Sequence, residues 1–199
     1  MAILTYTGKF VDPMNLDGNL VDIHDIAHSL GMQCRYTGHC SRFYSVAEHS
    51  VWVSHMVPHD KALAGLLHDA AEAYLHDMAS PIKKNFPTFI DASGAAQGVI
   101  NRKYGLDDYA DKAPEVKAAD KAMLHLEMNV LMKGGWDGTA HVPTQNVVTQ
   151  LRCLLPEQAK QLFLERFTQL THSAAKTPVA YVPSVWDSVG FPNSGVTAC

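Results

Sequence analysis

Apolar residues recur at helical spacing along most of the chain. Ile23, Ile26, Ala27 and Leu30 fall three or four apart, with Gly31 as a stop, and predict a helix over 22–30. Ser45 followed three residues on by Glu48 is a capping-box pattern, and its helix should run to about Val57, where Pro58 ends it. Asp60 is placed to cap a further helix from Lys61 to about Tyr74, whose stripe is Leu63, Leu66, Leu67, Ala70 and Tyr74. Ser80-Pro81 predicts a cap and first turn of a short helix ending near Pro87. Longer helices are predicted over 89–104, 114–133 and 156–171, closed by Gly105, by Gly134-Gly135 and by loss of the apolar face. The first 20 residues read as a short hairpin or extended segment. Residues 174–199, with Pro178, Pro183 and Pro192, have no period and read as an irregular tail. The expectation is an all-α helical bundle, one domain over residues 1–173.

Composition narrows the class. A chain of 199 residues suits one domain, since most run to roughly 100–200 residues. With 47% hydrophobic and 18% charged residues it is an ordinary globule. A formal net charge of -4 argues against a duplex nucleic-acid binder, which normally carries a basic face. No apolar run approaches the ~18 residues of a membrane span, and the N-terminus lacks a signal pattern. A cytoplasmic protein without a membrane partner is expected. Cys34, Cys40, Cys153 and Cys199 show no CxxC spacing and are expected as reduced thiols.

The candidate chemistry lies where polar groups interrupt apolar stripes. His49 stands between Val46 and Val53, His68 and Asp69 follow Leu66-Leu67, and Asp120 lies between Val116 and Leu124. A buried carboxylate must be paired, protonated or bound to a metal. Any one of these residues alone reads as an ordinary core histidine or a surface ion pair. Together, on three predicted helices, His49, His68, Asp69 and Asp120 would form a site for one divalent metal, and two imidazoles with two carboxylates suit Co, Mn, Zn, Ni or Fe better than Ca. Glu72, four residues after His68 and three after Asp69, faces the same side of a helix. His24 with His28 reads as helix surface, and Glu127 as a helix-face ion pair. His55, His59 and His76 do not complete a second metal site.

At these residues the sequence resembles the HD-domain metal phosphohydrolases, whose pattern is H…HD…D. The matching stretches are VAEHS, HDAAEAYLHDMASPIK and AADKA. The middle stretch is the specific one, and it is most similar to the YfbR-like 5′-deoxynucleotidases and the related phage dATP triphosphohydrolases. The resemblance implies an HD-domain bundle with His49, His68, Asp69 and Asp120 as metal ligands, Mg being admitted beside the transition metals. It implies that Glu72 orients or deprotonates the attacking water with Asp77 nearby, and that Arg35 and Lys83 meet the phosphates, with Lys84 and Arg42 as alternates. Arg35-Tyr36 matches the family's Arg-Trp pair, which holds phosphate and packs on deoxyribose. Here Tyr36 replaces Trp, and the spacing to His49 is about one residue shorter. The implied reaction is water attack at the α-phosphorus, converting dATP to deoxyadenosine and triphosphate. A 5′-deoxymononucleotidase and a non-catalytic nucleotide-binding HD module are the alternatives. A homo-oligomer, dimer or larger, and a host-cytoplasmic location if phage-encoded, follow from the same likeness.

Overall fold

Ser45 caps a helix as its spacing requires, accepting from Glu48 N–H at 3.1 Å. That helix belongs to a computed structural model that describes residues 2–134 and 151–172. The tail expected over 174–199, with Cys199 and Gly135, lies outside the described residues. The chain opens with a hairpin, β1 (Ile3–Leu4) antiparallel to β2 (Phe10–Val11). It then forms α1 (Ile23–Met32), α2 (Val46–Met56), α3 (Ala62–Leu67), α4 (Glu72–Leu75) and α5 (Ser80–Lys83). The longer α6 (Pro87–Lys103), α7 (Pro114–Leu131) and α8 (Pro156–His172) follow among the described residues. The protein is an all-α single-domain bundle, and among the described residues that hairpin is the only sheet. Among the described residues, no helix is long and apolar enough to cross a membrane.

Helix α2 is the centre of the bundle. Val46, Ala47 and Val51 join Ile26, Leu30, Leu66, Leu67, Ile100 and Phe163 in the main core, while Val53 joins Tyr44, Met123, Leu131 and Leu151 in a second cluster. A helix buried on nearly every side shows little amphipathic contrast, and its polar residues must find partners inside. Glu48 shows how. Instead of turning back to complete a capping box, its carboxylate accepts the backbone N–H groups of Arg152, Cys153 and Leu154 at 2.8, 3.1 and 2.8 Å. It thereby ties the segment leading into α8 to the middle of the fold.

Several boundaries differ from the sequence expectation, each for a physical reason. Gly31 does not stop α1, which continues to Met32; a Cβ at residue 31 would lie 2.9 Å from the Pro156 carbonyl, so glycine permits α1 to approach the start of α8. Asp60 caps nothing, because a 3₁₀ turn over His59–Lys61 feeds straight into α3. Ser80 lies inside α5, behind Ala79 as the cap residue, and Pro87 opens α6 where it was expected to end a helix. Proline at a first helical position lacks only an N–H that the helix would leave unpaired.

The largest difference is in the helix expected from Lys61 to Tyr74. It breaks after Leu67 and resumes at Glu72. Between them the backbone turns through i→i−3 bonds, Ala70 N–H to Leu67 C=O and Glu72 N–H to Asp69 C=O, both 3.0 Å. The side chain of Gln97, from α6, occupies the break: its Oε1 accepts from Ala71 N–H at 3.0 Å and its Nε2 donates to Leu67 C=O at 2.7 Å. Side-chain insertion into the hydrogen-bond ladder is a recognised cause of such breaks.

Candidate metal centre

His49 lies on α2, His68 and Asp69 in the break after α3, and Asp120 on α7. The packing of α2 on α3 and α7 brings them together. One ligand atom each from His49, His68 and Asp69 lie within 4.8 Å of one another, a group able to hold a metal ion. His68 Nε2 is 3.1 Å from Asp69 Oδ2, and His49 Nε2 is 3.3 Å from Asp120 Oδ1. The cross-distances, His49 to Asp69 and His68 to Asp120, are both 3.8 Å.

The donor set fits a cation. Both Nε2 atoms are buried without a hydrogen-bond partner. The opposite ring nitrogens are held: His49 Nδ1 by the Glu127 carboxylate at 2.6 Å, and His68 Nδ1 by the Gly65 carbonyl at 2.8 Å. Both partners are pure acceptors, so each imidazole donates from Nδ1, and its neutral form turns the Nε2 lone pair toward Asp69 and Asp120. In the ion-free protein a proton answers the same demand. Burial works against charging His68, but Asp69 and Asp120 overcome it and push its pKa up to about 10. The same histidines hold Asp69 and Asp120 below the ordinary carboxylate range despite burial.

A metal-binding prediction follows with its sign. At pH 7 His68 carries a proton that a metal would displace, so uptake should release about one proton per ion and tighten roughly tenfold per pH unit between pH 6 and 8. Calorimetric titration in buffers of differing ionisation enthalpy measures it, and an affinity independent of pH would contradict it.

Beside the group opens a cavity of about 630 Å³, lined by Asp69, Asp120, Glu72, Asp77, Arg35, Tyr36, Thr37, Lys83, Lys84 and Lys117 among others. His49, His68, Asp69 and Asp120 form the metal group, and Glu72, Asp77, Arg35, Tyr36, Lys83 and the alternate Lys84 line this cavity. Glu72 is largely buried, and its Oε2 has no partner. Burial, then the nearby Asp69 and Asp77 charges, raise its pKa well above the carboxylate range. Burial likewise raises Asp77. Arg42 does not line the cavity, and Tyr44 is packed in the second core cluster. His28 stacks on Tyr6 with ring centroids 3.9 Å apart, as a surface role allows.

Glu127 is the residue that sequence reasoning misplaced. It is fully buried, not a helix-face ion pair. Its carboxylate accepts from Arg35 Nε at 3.0 Å and Tyr36 OH at 2.8 Å besides meeting His49. Burial opposes its ionisation, but Arg35 and His49 bring its pKa down to about 2. The signal was available: Val116, Asp120, Met123, Glu127 and Leu131 form one stripe of α7, so whatever marked Asp120 marked Glu127 equally. Lys117 was missed because one lysine on a helix has no distinguishing pattern.

The support of the backbone that carries the acidic residues is also tertiary. Gln33 Nε2 donates to Glu72 C=O at 2.9 Å, and Gln33 Oε1 accepts from Asp77 N–H at 2.9 Å. Between them His76 has φ 72°, ψ 152°, a backbone conformation few residues other than glycine adopt.

Fold and site define a helical protein with a His-His-Asp group beside a cavity lined by both carboxylates and cations. The chain belongs to the family of YfdR from Escherichia coli K12, with which it shares 37% identity over 174 residues, 85% of this chain and 95% of that protein. It is also similar to RCAP_rcc00048 of Rhodobacter capsulatus, 32% identical over 129 residues, 59% of this chain and 64% of its relative. Both are uncharacterized proteins. No family model matches the chain.

Proposed function

We propose that this protein is an HD-domain phosphohydrolase that uses one divalent transition metal to cleave deoxynucleotides at the α-phosphorus, with dATP, yielding deoxyadenosine and triphosphate, as the favoured substrate. The observation that carries the reading is the pair of unpartnered, buried imidazole Nε2 atoms facing two carboxylates beside the cavity. When bound, a divalent ion supplies Lewis-acid charge and acidifies water toward neutrality. His49, His68, Asp69 and Asp120 are the residues that would hold it.

The chain's own groups perform the rest. Glu72, poised above the ordinary carboxylate range, takes the proton of the attacking water, and Asp77 completes that wall of the cavity. Arg35, anchored through Nε by Glu127 and with Nη1 3.9 Å from Asp69 Oδ2, presents its guanidinium to the cavity for phosphate oxygens. Lys83, Lys84 and Lys117 add three further cations to the lining, which supports a polyphosphate tail over a single phosphate. Tyr36, its hydroxyl held by Glu127, offers a ring wall to the sugar. The cavity volume falls in the range of small-molecule sites, about 300–1,000 Å³.

The test is a panel of deoxy- and ribonucleoside mono- and triphosphates with Co, Mn, Zn, Ni, Fe and Mg, reading products as phosphate, pyrophosphate or triphosphate. Triphosphate release from dATP is expected. Phosphate from monophosphates alone would establish the 5′-deoxymononucleotidase, and nucleotide binding without turnover the non-catalytic module. Asp120→Ala is expected to be purified with its metal lost; unchanged metal content would remove Asp120 from the ligand set.

A further inference from the structure

Gln97 takes both ends of a hydrogen bond that the helix beneath the metal group would otherwise make with itself. In an unbroken α-helix Ala71 N–H would bond to Leu67 C=O, four residues back. Gln97 Oε1 accepts the first group at 3.0 Å, and Gln97 Nε2 donates to the second at 2.7 Å. The backbone between them carries His68 and Asp69, and it is wound through i→i−3 bonds. Residues three apart stand about 60° out of line on an α-helix, at 3.6 residues per turn, but eclipse one another at three residues per turn. Asp69 and Glu72 are three apart. The inserted amide therefore brings the ligand carboxylate and the proposed base into line on the side that both present to the cavity.

The amide sits one way round. Asn101 Nδ2 donates to Asp111 Oδ1 at 3.0 Å and to Asp108 C=O at 3.1 Å, and both of these oxygens only accept. Asn101 must then present Oδ1 to Gln97, which donates to it from Nε2 at 2.9 Å. Only Oε1 is left, and it meets Ala71 N–H. Gln97, Asn101 and Asp111 are all buried, so water does not relax the order.

We propose that Gln97 is a positioning residue for the metal centre, and that its insertion, oriented by Asn101 and Asp111, holds the tight turn that sets His68, Asp69 and Glu72 for cation binding and water activation. The inference rests on the phosphohydrolase reading. Nothing in the helix itself would choose the tight turn: residues 61–74 have the pattern of one continuous helix.

The experiment compares the full-length protein with Gln97→Met, which keeps length and volume but makes no such bonds. Co(II) affinity of the metal-free proteins is read by absorption titration, nucleotide kcat and KM separately, and folding by circular dichroism. Loss of partners behind metal ligands commonly costs about 10–100-fold in affinity or activity. The expected result is a folded variant with Co(II) affinity and kcat each reduced at least tenfold and KM within twofold of the parent. A smaller loss of Co(II) affinity in the folded variant overturns the proposal. Should Gln97→Met not fold, Asn101→Leu decides, since it removes the amide whose Oδ1 orients Gln97 while leaving Gln97 in place. At least threefold weaker Co(II) binding is expected there, and less than that overturns the proposal. A parent protein that takes up no Co(II) instead removes the metal-dependent function on which the inference rests.

Discussion

Glu72→Gln should reduce turnover at least ~100-fold while leaving metal content and nucleotide binding intact, the scale lost with a general base. The substitution keeps the side chain's size and removes only its capacity to accept a proton. Glu72 Oε2 makes no hydrogen bond within the protein, so no internal partner is lost with it. The pH profile supplies an independent check. Burial and the Asp69 and Asp77 charges favour the protonated form of Glu72, while Arg35 and Lys83 oppose them. A base must be deprotonated to act, so kcat in the parent should fall as pH drops through a Glu72 pKa lying above the usual carboxylate range. The glutamine variant should lack that limb. Steady-state kinetics across pH, with metal analysis of the same samples, measure both effects. Full activity in Glu72→Gln would remove Glu72 from the reaction.

Glu127→Ala should be the most destabilising single change near the site. It leaves the Arg35 guanidinium, which is only 9% exposed, with no carboxylate nearer than Asp69 Oδ2 at 3.9 Å, and takes partners from Tyr36 OH and His49 Nδ1. Breaking one side of a buried ion pair costs about 3–5 kcal/mol, and at ~2–4 °C per kcal/mol for a chain of this size the melting temperature should fall roughly 6–20 °C. The stabilisation from this carboxylate is present above its unfolded pKa and is lost as pH falls through its native value of about 2. Its effect is therefore complete at neutral pH, where thermal unfolding should be measured. A melting temperature within about 2 °C of the parent would show that Arg35 finds another partner.

Much of this protein is legible in its sequence, because helix periodicity, caps and proline stops are local. Ser45, Pro58, Pro114 and the stripe of α8 act within a few residues of themselves, and each marks an element that is present. The same locality singled out His49, His68, Asp69 and Asp120, since a polar group inside an apolar stripe is visible along one helix. Some boundaries went astray where a distant segment intervenes, as Pro156 does at Gly31, and others where proline opens a helix instead of ending one, as at Pro87.

What the periodic pattern could not contain is which interrupted stripes meet and how their polar groups are satisfied. Arg35 and Glu127 are 92 residues apart, and Gln97 reaches Ala71 across 26. A buried carboxylate or amide takes whatever donor the packed helices deliver, and no spacing along the chain records that choice. The helix expected over residues 61–74 shows the division most clearly. Its own residues specify a continuous apolar face, yet tertiary packing lowers a side-chain amide into its ladder, where an internal hydrogen bond and an external one compete and the external pair prevails.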